Sequence, residues 1–225
     1  MATQNSINHI SNPLASTAIT VDPGAAGDSY VQFDINTTGE FRIGVDDDAA
    51  DAFKISQGSA LGGTDTFIMT AAGELTMPLQ PAVLAYLPND DADVTGNGTT
   101  FTLGSTTALT EIYDQGGDFA TDTFTASVTG RYYIHVSLRM EDIAAAMTDG
   151  YVEIATSNRT YTGAWISPGA AKNNNNQNGM CLTTIADMDA TDTMTATITL
   201  SNGVGDTADL GGGVTITWIN VALIC

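Results

Sequence analysis

The sequence predicts an all-β protein built as a sandwich or a barrel. Three observations carry that expectation: strict alternation of apolar and polar residues in its longest regular runs, turn dipeptides at short intervals, and almost no helical periodicity. In residues 193–200 (TMTATITL) each even position is apolar and each odd one is threonine, as in a strand with one face in a core and one in water. A second such strand places Tyr132, Ile134, Val136, Leu138 and Met140 on one face, with Arg131, Tyr133, His135, Ser137 and Arg139 on the other. Turn pairs Asn97-Gly98, Gly116-Gly117, Asp149-Gly150, Asn178-Gly179 and Asn202-Gly203 separate short apolar runs. Residues 141–147 (EDIAAAM) read equally as a brief helix or a loop.

In chain order, residues 1–28 lack periodicity and are expected to lie along another surface or to be mobile. Residues 29–80 read as a small β-rich stem module: strand, turn, strand, acidic turn, strand, then a hairpin around Ala72-Gly73. Two prolines, Pro78 and Pro81, interrupt any ladder and suggest a boundary. Residues 81–225 form the larger domain. Its last residues, 218–225 (WINVALIC), lose the polar phase that Thr215 and Thr217 keep upstream, so both strand faces turn apolar. A strand of that kind needs two covers. One is the opposing sheet, and without an amphipathic helix the economical second cover is another copy of the chain. Ile219, Val221 and Leu223 are the expected intersubunit residues, with Val83 and Ala85 of residues 81–88 (PAVLAYLP) beside them.

Totals exclude several functions. Six cations against 26 acids give a net charge of −20, which repels phosphates, so nucleic acid is not an expected partner. The N-terminus has no basic and apolar signal pattern, and no apolar run reaches the ~18 residues of a spanning helix, so membrane insertion is not expected. Cys181 and Cys225 cannot build a disulfide framework and read as small buried apolar residues. No nucleophile elbow, zinc-protease motif or phosphate loop occurs, and the protein is not expected to be an enzyme.

Residues 112–138 (IYDQGGDFATDTFTASVTGRYYIHVSL) resemble the signature of C1q-like globular heads, at Tyr113, Phe119, Phe124, Ala126, Gly130, Tyr132 and Tyr133. Thr129 stands where that family usually has proline. The resemblance spans residues 81–225 and implies a ten-stranded antiparallel jelly-roll sandwich of the C1q/TNF type that forms a homotrimer through its first and last strands. Residues 27–78 resemble segments of bacteriophage tail-fibre and related virion appendage proteins, at Gly44-Val45-Asp46, Phe53-Lys54-Ile55-Ser56 and Phe67-Ile68-Met69-Thr70. Together the two imply a structural virion protein assembled in the host cytoplasm, a tail or head fibre. Residues 1–28 would be its N-terminal attachment segment, joined to other virion proteins, and its knob would meet a host surface glycan or protein. The alternatives are a capsid decoration protein and a non-virion bacterial C1q-like ligand-binding module.

Within the knob, Lys172, Asn173, Asn174, Asn175 and Asn176 sit in a long polar stretch and are candidate receptor contacts. Asp90, Asp91 and Asp93 form an oxygen-rich loop that could take calcium, as hard cations prefer, with solvated turns as the plainer expectation. His135 is expected as a hydrogen-bonded surface or interface residue, and Trp165 as core.

Overall fold

The computed structural model describes residues 21, 23, 27–35 and 40–224, and these fall into two compact units divided after Pro78. Residues 1–20, which make up most of the expected attachment segment, lie outside the described residues, as does Cys225.

The first unit is one antiparallel five-stranded meander: β1 (Ser29–Asp34), β2 (Glu40–Asp46), β3 (Ala52–Gln57), β4 (Thr64–Met69) and β5 (Leu75–Thr76), in that order. The β4–β5 hairpin closes where the amides of Thr70 and Gly73 donate to Glu74 and Thr70 carbonyls, at the expected Ala72-Gly73 turn. Register puts Val45, Phe53, Met69 and Leu75 in one cross-strand row and Val31, Ile43, Ile55 and Phe67 in the next. Phe33 and Phe41 make a third. The alternate positions of β2 and β3, Arg42, Asp46, Lys54 and Ser56, are buried. Over Asp46, Lys54 and Ser56 runs the loop 58–63, which buries Leu61 and crosses so closely that a Cβ on Gly62 (φ +82°) would come within 2.5 Å of Asp46 Oδ2.

Two sheets make up the second unit. One is ordered β7 (Asp91–Thr95), β17 (Ala208–Leu210), β12 (Gly130–Glu141), β18 (Trp218–Leu223), β6 (Ala82–Tyr86), β9 (Thr110–Gln115), with β15 (Asn178–Met188) along the other edge of β12. Its mate is ordered β10 (Phe119–Ala120), β11 (Thr123–Thr125), β16 (Thr193–Ser201), β13 (Asp149–Thr156), β14 (Thr160–Ile166), with β8 (Thr100–Thr102) on β16. Pairings nest: β13 with β14, β12 with β15, β11 with β16 and β6 with β18, so a long folded hairpin winds across both sheets. That is a jelly roll. Its sheets hold seven and six strands, more than the ten implied by the resemblance, because two- and three-residue segments such as β10, β11 and β17 are separate rungs.

Between the sheets the alternating rows interlock, Tyr132, Ile134, Val136, Leu138 and Met140 from β12 against Met194, Ala196, Ile198 and Leu200 from β16. Residues 141–147 form no helix; Ile143 and Met147 plug the core from a loop.

Candidate functional site

The last strand sits in the middle of its sheet, between β12 and β6. Ile219 and Val221 are buried in the chain's own core, as are Val83 and Ala85, while Leu223 packs partly against it. The sequence expectation sets these five residues against a sister subunit; within one chain four of them are already buried, and Leu223 stays partly open. The reason is local. Residues 214–217 form a turn in which Thr217, fully buried, donates to the Gly211 carbonyl at 2.6 Å and accepts the Arg139 amide at 3.2 Å. Alternation therefore restarts at Trp218, and the two faces are exchanged relative to a strand counted from Val214.

The face left outward is built of three cross-strand rows. The central one runs Tyr113, Leu84, Asn220, His135, Thr183; on either side lie Tyr86, Trp218, Ser137, Cys181 and Ala82, Ala222, Tyr133, Ile185. No carboxylate stands in these rows, although the chain carries 26. The His135 ring stacks on Trp218, centroids 4.7 Å apart and 21° between planes, and its Nδ1 lies 2.6 Å from Thr183 Oγ1. Asn220 Nδ2 donates to the Tyr113 hydroxyl at 3.3 Å. Burial under these neighbours holds the His135 pKa below its ordinary value, which favours the neutral ring. Tyr113, Tyr133 and Ile185 are exposed, and Leu84, Trp218 and Asn220 line a depression of about 420 Å³ with Val214 and Thr215. His135 is thus a hydrogen-bonded surface residue, as the sequence suggests. Cys181 is exposed rather than buried, because it faces outward in the Trp218 row.

The polar loop is not an open connection. Pro168–Ala171 form a single helical turn, α1. Lys172 Nζ then donates to the Ile143 carbonyl at 2.6 Å and to Asn176 Oδ1 at 2.7 Å. Asn173 Oδ1 accepts the amides of Asn175 and Gln177, both at 2.9 Å. Of the candidate contacts, Lys172, Asn173 and Asn176 are engaged in shaping the loop through their side chains, while Asn174 and Asn175 are exposed at its tip. Beside it lies a depression of about 500 Å³ lined in part by Arg139, Asn173, Gln177, Asn178 and Ile216.

Asp90, Asp91 and Asp93 are drawn to different partners. Asp90 Oδ1 accepts the Gly212 amide at 2.6 Å, buried Asp91 accepts the Thr107 amide at 3.4 Å, and the Asp93 amide donates to Asp209 at 2.8 Å. Among the described residues no group of three or more histidines, cysteines or acids is placed to hold a metal ion. Trp165, expected in the core, is 61% exposed. A bulge shifts the β13–β14 register between Gly150 and Val152, Ala164 adopts φ 52°, and the indole lies on Tyr151 with centroids 4.5 Å apart.

No protein-family model matches the chain, and no curated protein matches it. Among solved structures, murine APRIL at pH 8.5 is similar with a TM-score of 0.41 and 12% identity, over 64% of this chain and 99% of that one. The globular domain of zebrafish complement 1qA is similar with a TM-score of 0.39 and 14% identity, over 65% of this chain and 98% of that one.

Proposed function

We propose that the chain is a homotrimeric structural protein of a bacteriophage virion, a tail or head fibre that displays the jelly roll as a knob for adhesion to a host surface glycan or protein. The observation that carries the trimer is the carboxylate-free aromatic face around Trp218 and His135. A chain of net charge −20 repels its own copies over most of its surface, and it approaches them at least cost where no acid stands. Burying side chains such as Trp218, Leu84, Tyr113 and Tyr133 contributes about 1.5–3 kcal/mol for each one fully removed from water. The number three and the virion role rest on the resemblances of residues 81–225 and 27–78. With that face in the assembly, the Asn174–Asn175 tip and the Trp165–Tyr151 pair on the opposite sheet stay available to a host ligand.

Equilibrium sedimentation of the full chain tests the trimer, with three times 23.3 kDa expected. Mass spectrometry of purified particles tests the virion role. Recovery of this chain from particles supports it, and a trimer absent from particles is instead the non-virion bacterial ligand-binding module.

A further inference from the structure

We propose that the apolar face of the N-terminal sheet is a second interface between copies of this chain. In an ordinary half-buried sheet the apolar face is covered and the polar face meets water. Here the loop 58–63 covers the polar face. Under it, Lys54 Nζ lies 2.8 Å from Asp46 Oδ2 and 2.9 Å from Asp65 Oδ2, and Ser56 Oγ donates to Asp65 Oδ1 at 2.6 Å while accepting the Gly62 amide at 3.2 Å. Arg42 is buried beside Tyr30, its guanidinium 5.4 Å from the ring centroid. The opposite face is open: Val31 is 45% exposed, Phe33 58%, Phe41 45%, Val45 38%, Met69 38% and Leu75 61%.

Three properties select a copy of the same chain as the occupant. In the three rows of this face the only polar residues are Ser29, Gln57 and Thr64, all toward the ends and none of them charged, so nothing on it would recruit a charged partner. A second identical face is uncharged and apolar in the same way, so another chain of net charge −20 can approach through it without opposing acids. The area also suits self-association. Taking about 150–250 Å² for a whole aromatic side chain, the exposed fractions give roughly 500 Å² from these six residues. The half-buried Ile43, Phe53, Ile55 and Phe67 carry the total toward the ~800 Å² that each partner contributes to a standard stable interface. This interface is separate from the Trp218 face, and the trimer proposed above does not depend on it.

Sedimentation of three full-chain variants separates the two. Trp218→Glu charges the knob face, Phe41→Glu charges the sheet face, and the third chain carries both. Phe33→Glu, at the more exposed of the two phenylalanines, replaces Phe41→Glu if the latter fails to keep its strand content by circular dichroism. The expected result is that either single variant stays associated and the double variant falls to the 23.3 kDa of one chain. A single-chain mass for Trp218→Glu alone overturns the sheet interface, and points to another segment of the same chain as its cover, while leaving the knob reading intact. A single-chain mass for Phe41→Glu alone leaves the sheet interface standing and removes the knob one. A double variant that remains associated overturns the sheet proposal, since that face would not be what holds copies together.

Discussion

The jelly roll and the N-terminal sheet obey the same alternation of side chains but bury opposite halves of it. In the jelly roll, β12 and β16 send aliphatic rows into a shared core, and polar or aromatic residues face out. Among the described residues the N-terminal meander has no second sheet, and what it shelters under a loop is an ion-paired trio, with its phenylalanines left outward. The difference teaches that alternation fixes which residues share a face but not which face is covered; that is decided by what else the chain brings alongside. A closed two-layer core can stand as a unit, whereas some fifty residues in a single layer bury too little to be secure alone.

Breaking each region by its own weakness sharpens the contrast. Phe124, fully buried and packed edge-on against Tyr132 at 5.4 Å, is a keystone of the jelly roll, and Phe124→Ala should cost about 3–5 kcal/mol. Trp165 and Trp218 are the two tryptophans of the chain and both lie in the jelly roll, so the tryptophan fluorescence transition in denaturant reads this loss directly. Lys54→Met should cost the N-terminal sheet up to a comparable amount, about 3–5 kcal/mol, because Asp46 and Asp65 would be left buried without a counter-charge. Its signature is faster hydrogen exchange in β2, β3 and β4 with the tryptophan transition unmoved. Replacing Asp46 and Asp65 by leucine in the same variant should recover most of that stability, as expected for a buried ion trio.

Acid separates the regions more gently. Burial alone would raise the Asp65 carboxyl, but the Ser56 hydroxyl and the Lys54 ammonium outweigh it and hold its pKa below the usual value. The unfolded sheet therefore binds more protons there, and the stability this group contributes is present above about pH 4 and lost as pH falls through its folded pKa. In the jelly roll, burial raises Asp118 and Asp209, with neighbouring acids adding to it. These groups take up protons more readily when folded, so they favour the jelly roll as pH drops through their raised values. The N-terminal sheet should accordingly open first on acidification, seen as hydrogen exchange rising in β3 before the tryptophan signal changes. The opposite order would contradict the assigned pairings.

The smallest effect belongs to His135. Its depressed pKa means that the unfolded chain protonates first, from about pH 6.5 downward, so the stability it contributes is present above that pH and declines below it. His135→Gln should flatten this shallow slope in the denaturation midpoint between neutral and mildly acid pH, while leaving the midpoint at neutral pH nearly unchanged.

Where side-chain period alone decides, the residue order was legible: the faces of β12 and β16, the hairpin at Ala72-Gly73 and the outward His135 follow from it. Two places needed tertiary information. The turn pinned by Thr217 resets the phase of the last strand, so Ile219 and Val221 fill the core and Trp218 faces out. A bulge at Ala164, an alanine with φ 52° that side-chain alternation does not reveal, pushes Trp165 to the surface. The inverted N-terminal sheet was partly visible, since Arg42, Asp46, Lys54 and Ser56 occur at alternate positions, but only the covering loop shows which side is sheltered.

The mass of the intact chain in solution tests the central claim most directly, namely that its acid-free faces hold copies together. Equilibrium sedimentation should return three times 23.3 kDa, constant on dilution. A mass of one chain at every concentration would contradict it.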